Sequence, residues 1–75
     1  MTIELVIAEL QQGRYSVEQA ATWMSENGSS VWLGWGEDTG AWECSWITGG
    51  VRYTGVEPSL REAILESLRG SRKQR

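Results

Sequence analysis

The side chains that could do chemistry in this chain are few, and histidine is absent. Cysteine and serine nucleophiles need an adjacent base, most often an imidazole, so this composition excludes most hydrolase mechanisms. The single cysteine, Cys44, lies within an alternating apolar segment, where a thiol is usually an inert core residue. We therefore predict no catalytic residue and no enzymatic activity.

Three carboxylates, Glu37, Asp38 and Glu43, are close enough in sequence to act as an acid and base pair or to bind a divalent cation. Two of them lie in a predicted turn, where water stays in contact with them, and their spacing matches no calcium-binding loop. The glycines between positions 34 and 55 match neither the dinucleotide pattern nor the P-loop pattern. We predict solvated turn residues here, and neither a metal nor a cofactor.

The elements that position these residues begin with two helices. Apolar residues recur at helical spacing over residues 2 to 12, with Thr2 as a candidate N-cap and Gly13 as a stop signal. Ser16 and Gln19 have the spacing of a capping box, which predicts that a second helix begins there and ends near Asn27.

After the second helix the hydrophobic period changes to two, which predicts a three-stranded antiparallel sheet from Ser30 onward. The predicted pairs are 35 with 42, 33 with 44 and 31 with 46 across a first turn, then 46 with 51 and 44 with 53 across a second turn at Thr48 and Gly49. The face predicted to turn inward carries Val31, Leu33, Trp35, Trp42, Cys44, Trp46, Val51 and Tyr53. The opposite face carries Trp32, Gly34, Glu43, Ser45, Arg52 and Thr54.

The chain then turns at Gly55 into a third helix, with Ser59 as its N-cap and Gly70 as its end. Residues 1 to 70 are predicted to form one α+β domain of order α-α-β-β-β-α, in which the last helix packs on the sheet. Seventy-five residues leave no room for a second core. Residues 71 to 75 are predicted to form a disordered basic tail.

Charge is distributed unevenly along the chain. Seven basic and ten acidic residues give a formal net charge of −3, and three of the basic residues, Arg72, Lys73 and Arg75, stand at the end. Residues 1 to 71 therefore carry four basic and ten acidic residues, a charge of −6. An acidic body disfavours nucleic-acid affinity, and three terminal cations would neutralise at most about three phosphates. Direct nucleic-acid binding is not expected.

One unpaired cysteine indicates a reducing compartment, and the first residues have neither the basic nor the apolar region of a secretory signal. The longest apolar segments are far shorter than the roughly 20 residues of a membrane-spanning helix. These features predict a cytoplasmic protein that has no membrane partner.

Trp32 is the one large apolar residue on the face that is otherwise polar. It would lie either exposed, as an aromatic anchor for a binding partner, or buried beneath the first helix. The sequence leaves both alternatives open. The predicted protein-binding residues are Trp32, Glu37, Asp38, Glu43 and Arg52.

Four segments within residues 14 to 70 carry a family resemblance. They are Arg14-Tyr15-Ser16 before a helix with Ala20-Ala21-x-Trp23, then Ser30-Val-Trp-Leu, Gly40-Ala-Trp42-Glu43-Cys-Ser, and Pro58-Ser-Leu-Arg-Glu-Ala63-Ile-Leu. With these segments the chain resembles the small phage-encoded proteins of the phage ABA-sandwich domain family. The resemblance implies a phage or mobile-element origin and the same α+β layout, and it implies no activity.

Together these features predict a non-enzymatic protein that inhibits a host protein by masking its surface, as an anti-CRISPR protein or a similar host-takeover factor does. The partner would be a host protein or complex that handles nucleic acid, since an acidic body complements a basic groove. The compartment would be the cytoplasm of a bacterial host cell. Two alternatives stay open, namely a homo-oligomerising accessory domain whose first helix packs across a subunit interface, and a weak nucleic-acid-binding module.

Overall fold

A computed structural model describes residues 1–73 and has the element order α-α-β-β-β-α. The helices are α1 (Ile3–Gln11), α2 (Val17–Glu26) and α3 (Leu60–Lys73). The strands are β1 (Ser29–Gly36), β2 (Ala41–Thr48) and β3 (Val51–Glu57), which form an antiparallel sheet in that order. The predicted α+β class and element order are confirmed.

Each helix begins at the cap that its sequence predicts. The Thr2 hydroxyl accepts a hydrogen bond of 3.2 Å from the backbone three residues further on, and Ser59 does the same for α3 at 3.2 Å. At α2 the capping box is complete, because Ser16 Oγ accepts from the Gln19 backbone N–H at 3.0 Å and Gln19 Oε1 accepts from the Ser16 N–H at 2.9 Å. These bonds satisfy donors that the first turn of a helix would otherwise leave without a partner.

The first helix buries its apolar stripe within its own chain. The buried residues of α1 are Ile3, Val6, Ile7 and Leu10. They pack with α2 and α3 in one core. Arg61 of α3 fastens the hairpin between α1 and α2, because its Nη1 donates to the carbonyl oxygens of Leu10 at 2.8 Å and Tyr15 at 2.9 Å.

Helices α2 and α3 cover one face of the sheet, which we call the inner face. The sheet residues in the core are Cys44 and Trp46, fully buried, with Val31, Leu33 and Trp42 partly buried beside them. Trp46 joins β2 to α2, because its indole Nε1 donates to the carbonyl oxygen of Met24 at 2.8 Å. At Gly55, β3 lies so close to α3 that a Cβ atom would overlap the carbonyl oxygen of Ala63.

The hairpin of β1 and β2 keeps the predicted register over most of its length. Its confirmed pairs are Trp35 with Trp42 and Leu33 with Cys44. Near the start of β1 the register shifts between Ser29 and Trp32, where Ser30 has a positive φ of 52°. The predicted pair of Val31 with Trp46 falls in this irregular segment instead of the regular ladder.

The predicted register of the second hairpin is wrong by two residues. Trp46 pairs with Tyr53 and not with Val51, so the turn consists of Gly49 and Gly50. Both glycines have positive φ angles, 59° and 76°, as a two-residue type I′ turn requires. A shift of two residues leaves every side chain on its predicted face, because the side-chain period of a strand is two.

Two elements are longer than the sequence predicts. β3 continues from Gly55 to Glu57, where a turn is predicted. α3 continues through Gly70, which lies against the Tyr53 side chain, and is helical as far as Lys73, the last described residue. The predicted end of the third helix is therefore wrong, and residues 71–73 of the predicted tail are helical. The rest of that tail, residues 74 and 75, lies outside the described residues.

Candidate functional site

The second face of the sheet, the outer face, has no helix packed on it within residues 1–73, since every sheet residue of the core belongs to the inner face. Its residues, in four successive rows across the strands, are Ser29, Ile47 and Arg52, then Trp32, Ser45 and Thr54, then Gly34, Glu43 and Val56, and last Gly36 and Ala41. Two large apolar side chains are open to solvent on this face, since Trp32 is 51% exposed and Val56 is 43% exposed. We treat the outer face as the candidate site.

Trp32 is exposed, and α1 does not cover it. Its ring extends along β1 and lies over Gly34, where a Cβ atom would be 2.8 Å from Cζ2 and 3.0 Å from Cη2 of the indole. The ring therefore rests on bare backbone and leaves its other side accessible. Of the two alternatives that the sequence leaves open, the exposed one is correct.

The carboxylate of Glu43 lies at one end of the outer face. It leans over Gly36, and its Oε2 accepts a hydrogen bond of 2.8 Å from the Thr39 hydroxyl. Thr39 belongs to the turn between β1 and β2, which also carries the exposed carboxylates of Glu37 and Asp38. The fold therefore gathers all three predicted acidic residues at this end of the sheet.

Arg52 lies towards the opposite end of the outer face. Its Nη1 donates to the hydroxyl of buried Ser45 at 2.6 Å, so the guanidinium lies over β2. Three of the predicted binding residues, Trp32, Glu43 and Arg52, thus share one face, and the other two stand at its edge. Their role in binding remains a prediction.

The sequence predicts that two residues at the ends of the inner face are buried, and this prediction is wrong. Trp35 is 52% exposed and packs edge-on against Trp42 at a centroid distance of 5.5 Å, and Val51 is exposed as well. Strand alternation predicts the face of a side chain, but it does not say how far the covering helices reach. The prediction from the sequence does not assign Val56 to the outer face, although Val56 continues the spacing of two from Arg52 and Thr54.

Cys44 is a buried core residue. It is fully buried, and burial raises the pKa of its thiol to about 11, while contact with the Ser67 hydroxyl acts in the opposite direction. A nucleophilic cysteine needs a thiolate near neutral pH and access to substrate, and Cys44 has neither.

Iodoacetamide should alkylate Cys44 of the folded protein much more slowly than an accessible thiol. At pH 8, a thiol with a pKa of about 11 is roughly one-thousandth ionised, whereas an ordinary thiol is roughly one-quarter ionised. We expect labelling, followed by mass spectrometry, to be at least about 100-fold slower than in concentrated guanidinium chloride. Similar rates in the two conditions would show that Cys44 is accessible and reactive.

No family model, curated protein or solved structure matched this chain. The resemblance to the phage ABA-sandwich domain family therefore stays a prediction from the sequence. The candidate site has to be interpreted from its own geometry.

Other surfaces of the described residues offer less. An open groove of about 380 Å³ follows the solvent side of α2, lined by Tyr15, Ser16, Glu18, Gln19, Thr22, Trp23 and Glu26. Its lining residues come from one helix and the residues just before it, so no polar groups converge on a ligand from different elements. Within residues 1–73, no cluster of three cysteine or carboxylate ligands could hold a metal ion, and no helix has the length and apolar character to cross a bilayer.

Proposed function

We propose that this chain is a non-enzymatic binding domain that docks the outer face of its sheet on a basic surface of a partner protein. The observation that carries this proposal is the exposure of Trp32 and Val56 on a sheet face that no helix of residues 1–73 covers. Exposed apolar side chains on an open, polar-rimmed surface are typical of interaction sites. Tryptophan is also among the residues most enriched where binding energy is concentrated.

The charges around the outer face favour a basic partner. Glu37, Asp38 and Glu43 stand together at one end, and Arg52, the cation on this face, already donates to Ser45. Complementary charge accelerates association and rejects partners of the wrong sign. The proposed partner is therefore a protein with a basic patch, such as one that handles nucleic acid.

The biological setting that we propose is inhibition by masking. A domain seated on a basic groove would exclude the nucleic acid that the groove binds, as an anti-CRISPR protein or another anti-defence factor of a phage would do in its host. This setting depends on the family resemblance as well as on charge. The docking surface depends on the outer face alone.

The two alternatives gain no support from the geometry. An oligomerising role for the first helix requires an exposed apolar stripe on that helix. The stripe of α1 is instead buried against α2 and α3 of the same chain. A nucleic-acid-binding role for the outer face would place phosphates beside Glu37, Asp38 and Glu43, and these charges repel them.

The proposal is tested by a matched pair of variants, Val56→Lys on the outer face and Leu5→Lys on α1. The two native side chains are similarly exposed, 43% and 46%, and both variants add the same charge. The tagged full-length chain is first used to capture a partner from nuclease-treated bacterial lysate. The captured protein is identified and purified, and its affinity for each variant is then measured.

We expect Val56→Lys to weaken binding by at least about tenfold and Leu5→Lys to change it by less than about twofold. Equal effects of the two variants would place the interface elsewhere and contradict the proposal. Capture of nucleic acid alone, or of further copies of the chain alone, would contradict it as well.

A further inference from the structure

The outer face of β1 has an unusual surface, because two of its successive outward positions are glycines. Trp32, Gly34 and Gly36 share this face, separated by about 7 Å each, the distance between alternate residues of a strand. The two glycines therefore form a strip of bare backbone. Trp32 and Glu43 both lie on that strip.

The indole ring of Trp32 lies over the first glycine. A Cβ atom on Gly34 would be 2.8 Å from Cζ2 of the ring, so the ring keeps this position only because residue 34 lacks a side chain. Its second side is open to solvent, since the residue is 51% exposed. The result is a flat aromatic surface with one side on bare backbone and the other open to a partner.

The carboxylate of Glu43 lies over the second glycine. A side chain at Gly36 would collide with Oε2 of Glu43, and the Thr39 hydroxyl holds that oxygen at 2.8 Å. Among residues 1–73, no cation lies within ion-pairing distance of Glu43. The fold thus places an unpaired, oriented carboxylate next to the exposed aromatic ring.

We infer that Trp32 and Glu43 together form a site for one arginine side chain of a partner protein. A guanidinium is planar, stacks on an indole and donates two parallel hydrogen bonds to a carboxylate, so a single group satisfies both halves of the site. The ammonium group of lysine is a compact charge that has neither a flat surface for stacking nor two parallel N–H donors. The inference rests on the proposed function and names the partner group that the outer face recognises.

The site is tested by NMR titration of the full-length ¹⁵N-labelled chain with the capped tripeptide Gly-Arg-Gly and, in parallel, the capped tripeptide Gly-Lys-Gly. The arginine peptide should shift the indole N–H of Trp32 and the backbone N–H of Glu43. It should leave the indole N–H of Trp35 unchanged, although Trp35 is equally exposed on the other face of β1. The lysine peptide should bind at least about threefold more weakly.

Three variants make the test specific. Glu43→Gln should lower the affinity for the arginine peptide about threefold to fivefold, because the substitution removes the charge of the side chain and keeps its shape. Gly34→Val should lower this affinity by a similar factor, because the valine side chain displaces the Trp32 ring while both binding residues remain. Glu18→Gln, which changes an exposed carboxylate of α2, is the matched control and should have no effect.

The inference is overturned if both peptides bind equally, if the Trp35 resonance shifts as much as that of Trp32, or if Glu43→Gln and Glu18→Gln have the same effect. It is also distinguishable from the proposed function. If Val56→Lys loses the partner protein but the arginine peptide moves no outer-face resonance, only the arginine site is wrong. If the peptide binds at Trp32 but no partner protein depends on Val56, only the proposed function is wrong.

Discussion

Replacing Gly55 with alanine should lower the free energy of unfolding by about 3 kcal/mol or more. A Cβ atom at this position would overlap the carbonyl oxygen of Ala63, and it would lie 2.9 Å from the carbonyl carbon and 3.0 Å from Cβ of Glu66. These atoms belong to the rigid part of α3 and cannot rotate away. The whole helix would have to lift from β3, and α3 contributes much of the core.

The matched control is the same substitution at Gly34, also within a strand. There the new Cβ atom meets only the ring of Trp32, which is the free end of a flexible side chain. We expect Gly34→Ala to change the free energy of unfolding by less than about 1 kcal/mol, because alanine also suits a strand better than glycine does. Urea denaturation followed by far-UV circular dichroism gives both values. Equal losses in the two variants would contradict the close approach of α3 and β3.

Replacing Trp46 with alanine should lower the free energy of unfolding by about 3 to 5 kcal/mol. The side chain is fully buried, packs on Trp23 at a ring distance of 6.0 Å, and donates its indole N–H to the Met24 carbonyl at 2.8 Å. A domain of this length has a total stability of about 4 to 11 kcal/mol. The variant should therefore lose a large share of the total stability of the domain.

Two further variants separate the contributions to stability. One distinguishes the packing of Trp46 from its hydrogen bond, and the other distinguishes the burial of a tryptophan from its size. Trp46→Phe keeps most of the packed volume and loses the bond to Met24, so we expect a loss of about 2 kcal/mol. Trp32→Ala removes an equally large ring from the outer face and should cost less than about 1 kcal/mol. If Trp32→Ala destabilised the chain as much as Trp46→Ala, Trp32 would be a core residue and the outer face would not be open.

Local rules predict most of this fold. The caps at Thr2, Ser16 and Ser59 start the helices where the sequence indicates, and the period of two assigns each strand residue to a face. The sequence predicts the turn of the second hairpin at the wrong position, because Thr48-Gly49 and Gly49-Gly50 are both plausible two-residue turns. Only the second has two residues that tolerate positive φ, and the structure uses it.

What could not be predicted depends on contacts between elements. Gly70 is a typical helix stop, but here α3 passes through it, because the residue lies on Tyr53 and the next residue, Ser71, is buried. The exposure of Trp35 depends on where α2 and α3 end above the sheet. For the candidate site, residue types alone pointed to Trp32 and Glu43. The two glycines beneath these side chains, Gly34 and Gly36, could be identified only from the register of the sheet.

The central claim is that the outer face, and not the acidic chain as a whole, binds the partner protein. It is tested most directly by the affinity of the purified partner for Trp32→Ala and Trp35→Ala. The two tryptophans lie on the same strand and are 51% and 52% exposed, but they point to opposite faces of the sheet. We predict that Trp32→Ala weakens binding by at least about tenfold and that Trp35→Ala changes it by less than about twofold. Equal effects, or a larger effect of Trp35→Ala, would contradict the claim.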